Sequence, residues 1–129
     1  MEGTKLETII IFTGQMENLA SFYQEGLQLG PFESSPRHLG QRVGPVYLGF
    51  DQDDAAEVGL RSGATLWFTV DDLQATFDRL VAMGAKVRYP PTEKPWGARL
   101  ACVYDLEGNM LGLTQRRPSA DGSAEDQVA

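Results

Sequence analysis

Residues 8–23, TIIIFTGQMENLASFY, and residues 65–80, TLWFTVDDLQATFDRL, read as one local structure written twice. In the first copy, Leu6-Glu7-Thr8-Ile9-Ile10-Ile11-Phe12-Thr13 is dense in β-branched and aromatic residues, which predicts a strand closed by Gly14. From Gln15 onward, Met16, Leu19, Ala20, Phe22, Tyr23 and Leu27 fall at the three-and-four spacing of an amphipathic helix, which Gly26 and Gly30 are expected to break. In the second copy, Ala64 to Val70 predicts a strand and Asp71-Asp72 a helix cap. Leu73, Thr76, Phe77, Leu80 and Val81 mark the apolar side of the helix that follows, and Gly84 stops it. A shift of 57 residues sets Thr8 on Thr65, Gln15 on Asp72, Met16 on Leu73 and Tyr23 on Leu80.

The segments outside the two copies extend the repeat. Gly-Pro-Phe-Glu-Ser-Ser-Pro and Gly-Gln-Arg-Val-Gly-Pro read as turns between short strands, and Val46 to Phe50 as a firmer strand. Asp51 to Gly63 reads as a polar connector. Lys86 to Tyr89, Arg99 to Tyr104 and Met110 to Thr114 read as strands, the last two joined by the turn Asp105 to Asn109. Tyr47-Leu48-Gly49-Phe50 repeats the pattern of Met110-Leu111-Gly112-Leu113 at a larger offset, as a longer hairpin requires. The expected architecture is α+β, two βαβββ modules within one domain over residues 1–117. Module one is 5–52, the connector 53–62 and module two 63–117, with a flexible acidic tail over 118–129.

A chain of 129 residues has room for one compact domain. Its apolar fraction of 42% lies far from the composition of disordered chains. Eleven basic against eighteen acidic residues give a net charge of −7, which argues against nucleic acid and anionic membranes and favours cationic partners, although solubility alone accounts for it. No apolar stretch approaches the roughly 20 residues needed to cross a bilayer. A single cysteine and no leader-like opening point to a reducing cytoplasm.

Few residues invite catalysis. Cys102 lies mid-strand without a neighbouring histidine to generate a thiolate. The one histidine, His38, reads as a solvated loop residue with no acidic neighbour within three positions. No spacing points to paired carboxylates or a phosphate loop.

Three stretches carry a family resemblance: Thr13 to Tyr23, Trp67 to Leu73, and Pro95-Trp96-Gly97-Ala98-Arg99 leading into Asp105-Leu106-Glu107-Gly108-Asn109. In this order within a repeat, they resemble the vicinal-oxygen-chelate superfamily of glyoxalases, bleomycin-resistance proteins and extradiol dioxygenases. The resemblance implies a curved mixed sheet around a cleft, with the helices on its outer face. In metal-using members of that family, a His or similar early in each module and a Glu or similar in each closing strand hold the metal. Those positions fall here on Thr8, Gly49, Thr65 and Gly112, which do not make a ligand set. No metal and no cofactor are therefore expected, as in the bleomycin-resistance branch.

Strand alternation sends Ile9, Ile11, Leu66, Phe68 and Val70 toward the helices. It leaves Thr8, Ile10, Phe12, Thr65, Trp67 and Thr69 facing the cleft, joined by Tyr47, Gly49, Met110 and Gly112. Glu7 should point away, unless the register slips by one. This neutral, aromatic lining suits an apolar or planar ligand, while Phe12 and Trp67 equally admit a reading as core filling. Trp96 in its loop reads either as a cleft residue or as packing on a dimer seam, and Arg99 beside it suits a carboxylate or a ring. The expected ligand residues are Thr8, Ile10, Phe12, Tyr47, Thr65, Trp67, Trp96, Arg99 and Met110.

The leading functional expectation is a metal-free protein that sequesters a small cationic or aromatic drug or metabolite, as a homodimer by resemblance. The alternatives are a metal-dependent lyase, isomerase or dioxygenase of the same family, and a metal-free enzyme that uses cleft hydroxyls or Arg99.

Overall fold

The computed structural model describes residues 3, 6–56 and 64–117, and the chain divides into two compact units, Met1–Val58 and Gly59–Ala129. The first contains β1 (Thr8–Thr13), α1 (Met16–Leu27), β2 (Glu33–Ser35), β3 (His38–Val43) and β4 (Val46–Gln52). The second contains β5 (Thr65–Val70), α2 (Leu73–Ala82), β6 (Lys86–Glu93), β7 (Arg99–Tyr104) and β8 (Met110–Gln115). Each forms a four-stranded mixed sheet, in the order β1-β4-β3-β2 and β5-β8-β7-β6. The first and last strands of each module pair in parallel and the others are antiparallel. This is the expected α+β fold of two βαβββ modules.

The repeat holds to the residue. Thr8 pairs with Tyr47 in one sheet and Thr65 with Met110 in the other, and the helices start at Met16 and Leu73. In module one, α1 buries Leu19, Phe22 and Tyr23, with the Tyr23 ring 5.1 Å from that of Phe50 and Phe32 edge-on to the same ring at 5.8 Å. In module two, α2 buries Leu73 and Leu80, and the strands bury Val103, Leu111 and Leu113.

Several local expectations are corrected. Gly26 does not break α1 but lies on its buried face, and the helix ends at Gln28, which adopts the left-handed conformation (φ 55°) while its N–H donates to the Gln24 carbonyl. Glu33–Ser35 and His38–Val43 are paired strands, so the turns shrink to Pro36-Arg37 and Gly44-Pro45. Short polar strands of this kind have no hydrophobic alternation to announce them, and pairing alone defines them.

Asp51 and Gln52, read with the polar stretch that follows, belong to β4, which closes at residue 52; residues 57–63, and the whole tail 118–129, lie outside the described residues. β6 runs on through Pro90 and Pro91 with two register shifts, the second of which takes both prolines out of the ladder with β7, as an edge strand tolerates. Val81 is 37% exposed, off the buried side of α2.

Helix starts are satisfied as the physics of orphan N–H groups requires. Asp72 accepts from the Ala75 N–H at 3.1 Å, while Asp71 pairs with Arg116 instead of capping. The Asp105 to Asn109 turn is closed by Asp105, whose carboxylate accepts from the Glu107 and Asn109 amides at 2.8 and 3.0 Å, with Gly108 at φ 89°. This family-like motif is thus a device for aiming β8. No helix among the described residues is long and apolar enough to cross a membrane.

Candidate functional site

Each sheet has one face toward its helix and one away from it. In module one the Tyr23–Phe50 contact marks the helix side. Alternation and register then place three rows on the opposite face: Thr8–Tyr47–Arg42, Ile10–Gly49–Gly40 and Phe12–Asp51–His38. Thr8, Ile10, Phe12 and Tyr47 therefore share one face, as expected. Phe12 is 61% exposed there.

His38 is where the sequence reading fails. It is the first residue of β3 rather than part of a solvated loop, it is half-buried, and it shares the face of Tyr47 and Gly49. Its Nδ1 meets Asp51 Oδ1, its Nε2 lies 2.6 Å from the Tyr47 hydroxyl, and its ring lies nearly parallel to that of Tyr47 (9°). The acidic partner is 13 residues away in sequence, and only the β3–β4 hairpin brings it opposite. No local spacing signals such a pair.

Two glycines make room for this cluster. A Cβ on Gly40 would fall 2.6 Å from Tyr47 Cζ and 2.9 Å from His38 Nε2, and one on Gly49 2.7 Å from Ile10 Cδ1 and 2.8 Å from His38 Cε1. Any side chain at either position displaces the rings above it.

In module two the helix side is marked by Gln115, whose side chain reaches the Leu73 amide. The opposite face carries the rows Thr65–Met110–Tyr104 and Trp67–Gly112–Cys102–Tyr89. Thr65, Trp67 and Met110 are thus neighbours, with the Thr65 hydroxyl donating to Met110 Sδ at 3.6 Å. The Trp67 indole lies directly over Gly112, where a Cβ would fall 2.5–2.8 Å from the ring. Burial pushes the Cys102 thiol up from its ordinary range, opposed in part by the positive charge of Arg88. That leaves it a packing residue. Tyr89 at the edge carries Lys94 Nζ 5.2 Å from its ring centre.

Trp96 and Arg99 are placed differently. Trp96 sits in the β6–β7 turn, closed by the Lys94 and Gly97 amides, and is 57% exposed. Arg99 opens β7 and by alternation falls on the side of Ala101 and Val103, opposite to Cys102 and Trp67. An open groove of about 430 Å³ in module one lies elsewhere again, between Ala20, Ser21 and Gln24 of α1 and Pro31, Phe32 and Leu39. Leu39 pairs with the helix-facing Phe50, so this groove is on the helix side, away from the aromatic face.

The four positions that the resemblance assigns to metal ligands fit no metal. Thr8 and Thr65 offer weak hydroxyl donors, Gly49 and Gly112 offer none, and the rings of His38, Tyr47 and Trp67 fill the space above the glycines. Among the described residues, no three His, Cys, Asp or Glu side chains come together as a metal-binding group.

Comparison with known proteins agrees with this architecture. The model of the Glyoxalase/Bleomycin resistance protein/Dioxygenase superfamily matches residues 5–113. Among solved structures, a glyoxalase-related enzyme from Fulvimarina pelagi superposes with a TM-score of 0.75 at 23% identity, over 96% of this chain and 99% of that one. TioX from Micromonospora sp. ML1 gives 0.67 at 19% identity, over 87% and 98%. A bleomycin resistance determinant encoded on the transposon Tn5 gives 0.62 at 20%, also over 87% and 98%. At these identities the likeness shows the fold alone. No curated protein sequence matches significantly. With the family model spanning both modules and the strand registers repeating between them, the chain belongs to the glyoxalase/bleomycin resistance protein/dioxygenase superfamily.

Proposed function

We propose that the chain is a metal-free binding protein of this superfamily that sequesters a small aromatic or apolar molecule, cationic groups included, such as a drug or metabolite. The observation that carries the reading is the Trp67 indole lying over Gly112, at a position where metal-using members keep a donor. An indole there offers a stacking surface and attracts cations through its π face, in line with a net charge of −7. In module two Thr65 and Met110 flank Trp67, and in module one Thr8, Ile10, Phe12 and Tyr47 form the corresponding face, a candidate surface in its own right. Exposed Trp96 adds a second aromatic surface, whereas Arg99, on the other side of its sheet, is not part of the Trp67 face. Membership of a superfamily that includes bleomycin resistance proteins is in line with this reading, and the proposal takes the chain to act as a homodimer in the cytoplasm.

The test begins with elemental analysis of the purified chain after dialysis. About one transition-metal ion per chain, lost on chelation together with an activity, overturns the proposal. A thermal-shift screen of cationic aromatic compounds follows, in which a compound at 100 times its Kd adds about 2.7 kcal/mol of stability. A hit is expected to change tryptophan fluorescence, and Trp67→Ala is expected to abolish most of that change and weaken binding. A calorimetrically confirmed ligand that leaves the fluorescence and the affinity of Trp67→Ala and Trp96→Ala unchanged places the site elsewhere.

A further inference from the structure

His38, the chain's single histidine, is engaged at both ring nitrogens, by Asp51 at Nδ1 and by Tyr47 at Nε2. A neutral imidazole has one N–H and one lone pair. An ionised carboxylate can only accept, so the N–H belongs on Nδ1 and the lone pair on Nε2 receives the Tyr47 O–H. The chain of hydrogen bonds therefore has a direction. Asp51 fixes the tautomer, His38 draws on the phenolic proton, and the Tyr47 oxygen keeps lone pairs for another molecule. The bare glycines 40 and 49 hold the rings flat on the sheet, and partial burial of His38 and Asp51 strengthens the bonds between them.

We propose that Asp51, His38 and Tyr47 form a metal-free reactive site in which Tyr47 is a base-activated nucleophile toward small apolar molecules bearing an activated acyl or sulfonyl group. In the step, the Tyr47 oxygen bonds to the electrophilic centre and the leaving group departs with its bonding pair. The phenolic proton passes to His38 Nε2, and the imidazolium is balanced by the Asp51 carboxylate. The apolar preference follows from Ile10 and the exposed Phe12, which share the face. The site lies wholly within module one and is read by covalent labelling, so its failure and that of the binding reading are separate outcomes.

The test treats the whole chain with benzenesulfonyl fluoride and maps the modified tyrosines by mass spectrometry. Tyr89 and Tyr104, half-buried like Tyr47, serve as internal references. Tyr47 is expected to be labelled well ahead of both. His38→Ala and Asp51→Asn are expected to lower its labelling rate by about 10²-fold or more, the scale of general-base assistance. Added imidazole should restore part of the rate in His38→Ala, which a purely structural histidine would not permit. Labelling of Tyr47 no faster than of Tyr89 and Tyr104 overturns the proposal, as does an unchanged rate in Asp51→Asn or His38→Gln with wild-type circular dichroism. Should those variants fail to fold, the selectivity of the wild-type chain among its three half-buried tyrosines decides alone.

Discussion

Gln52 and Gln115 do the same work in the two modules. Gln52 accepts the first amide of α1, from Met16, at 2.9 Å and donates to the Gly14 carbonyl at 2.7 Å. Gln115 accepts the Leu73 amide at 2.9 Å and donates to the Asp71 carbonyl at 2.6 Å. The last residue of each closing strand thus ties down the turn into the helix, satisfying an orphan helix N–H. Replacing either by alanine is expected to cost about 0.5–2 kcal/mol, the range for loss of a helix cap. Urea denaturation of the single variants checks this, and losses of very different size would show that the repeat is geometric but not energetic.

Leu80→Ala is expected to destabilise by about 2–5 kcal/mol, because Leu80 is fully buried where α2 packs on its sheet. Ile11 was expected to be as deeply buried but remains half-exposed, so Ile11→Ala should cost clearly less. Equal losses at the two sites, measured by chemical denaturation, would contradict this ordering.

Gly112→Ala should move the Trp67 ring, since the new methyl would meet it at 2.5–2.8 Å. The side chain can tilt away, so the expected signature is an altered Trp67 emission maximum, read in a Trp96→Phe background, with a stability loss of about 1–3 kcal/mol. An unchanged spectrum would mean that the indole does not rest on the sheet.

Stability should fall on the alkaline side. Burial holds the Cys102 thiol protonated beyond the ordinary thiol range, and burial does the same for the Tyr89 phenol, with Cys102 adding to it. In the unfolded chain both ionise at their ordinary values, so above about pH 8.5 the native state binds the extra proton and stability declines with rising pH. The contribution is fully present below that point and is lost as pH rises through the folded values. Cys102→Ala should flatten the first part of the decline in denaturation midpoints. A disulfide-exchange reagent should modify native Cys102 far more slowly than the unfolded chain, and equal rates would refute the burial argument.

The fold was legible because hydrophobic pattern is local. Runs such as Ile9-Ile10-Ile11 and the spacing of Met16, Leu19 and Tyr23 fix strand and helix without reference to the rest of the chain, and the shift from Thr8 to Thr65 exposes the repeat. The alternation that put Ile10 and Gly49 on one face and Trp67 and Gly112 on another also follows from the two-residue period of a strand. Helix ends were less legible, because Gly26 is used for its size on a buried face and Gln28 takes the left-handed turn in its place. The His38 site was invisible, since its acidic partner lies across a hairpin whose first strand, β3, carries no alternating hydrophobic pattern. Sequence by itself determined the first strand, the helix and the closing strand of each module and the faces their residues share, since these depend on chain-local periodicity. Only tertiary structure decided that β3 would set His38 between Asp51 and Tyr47, and that Gln52 and Gln115 would reach the helix starts, because hydrogen bonds between distant side chains exist only once strand register is fixed.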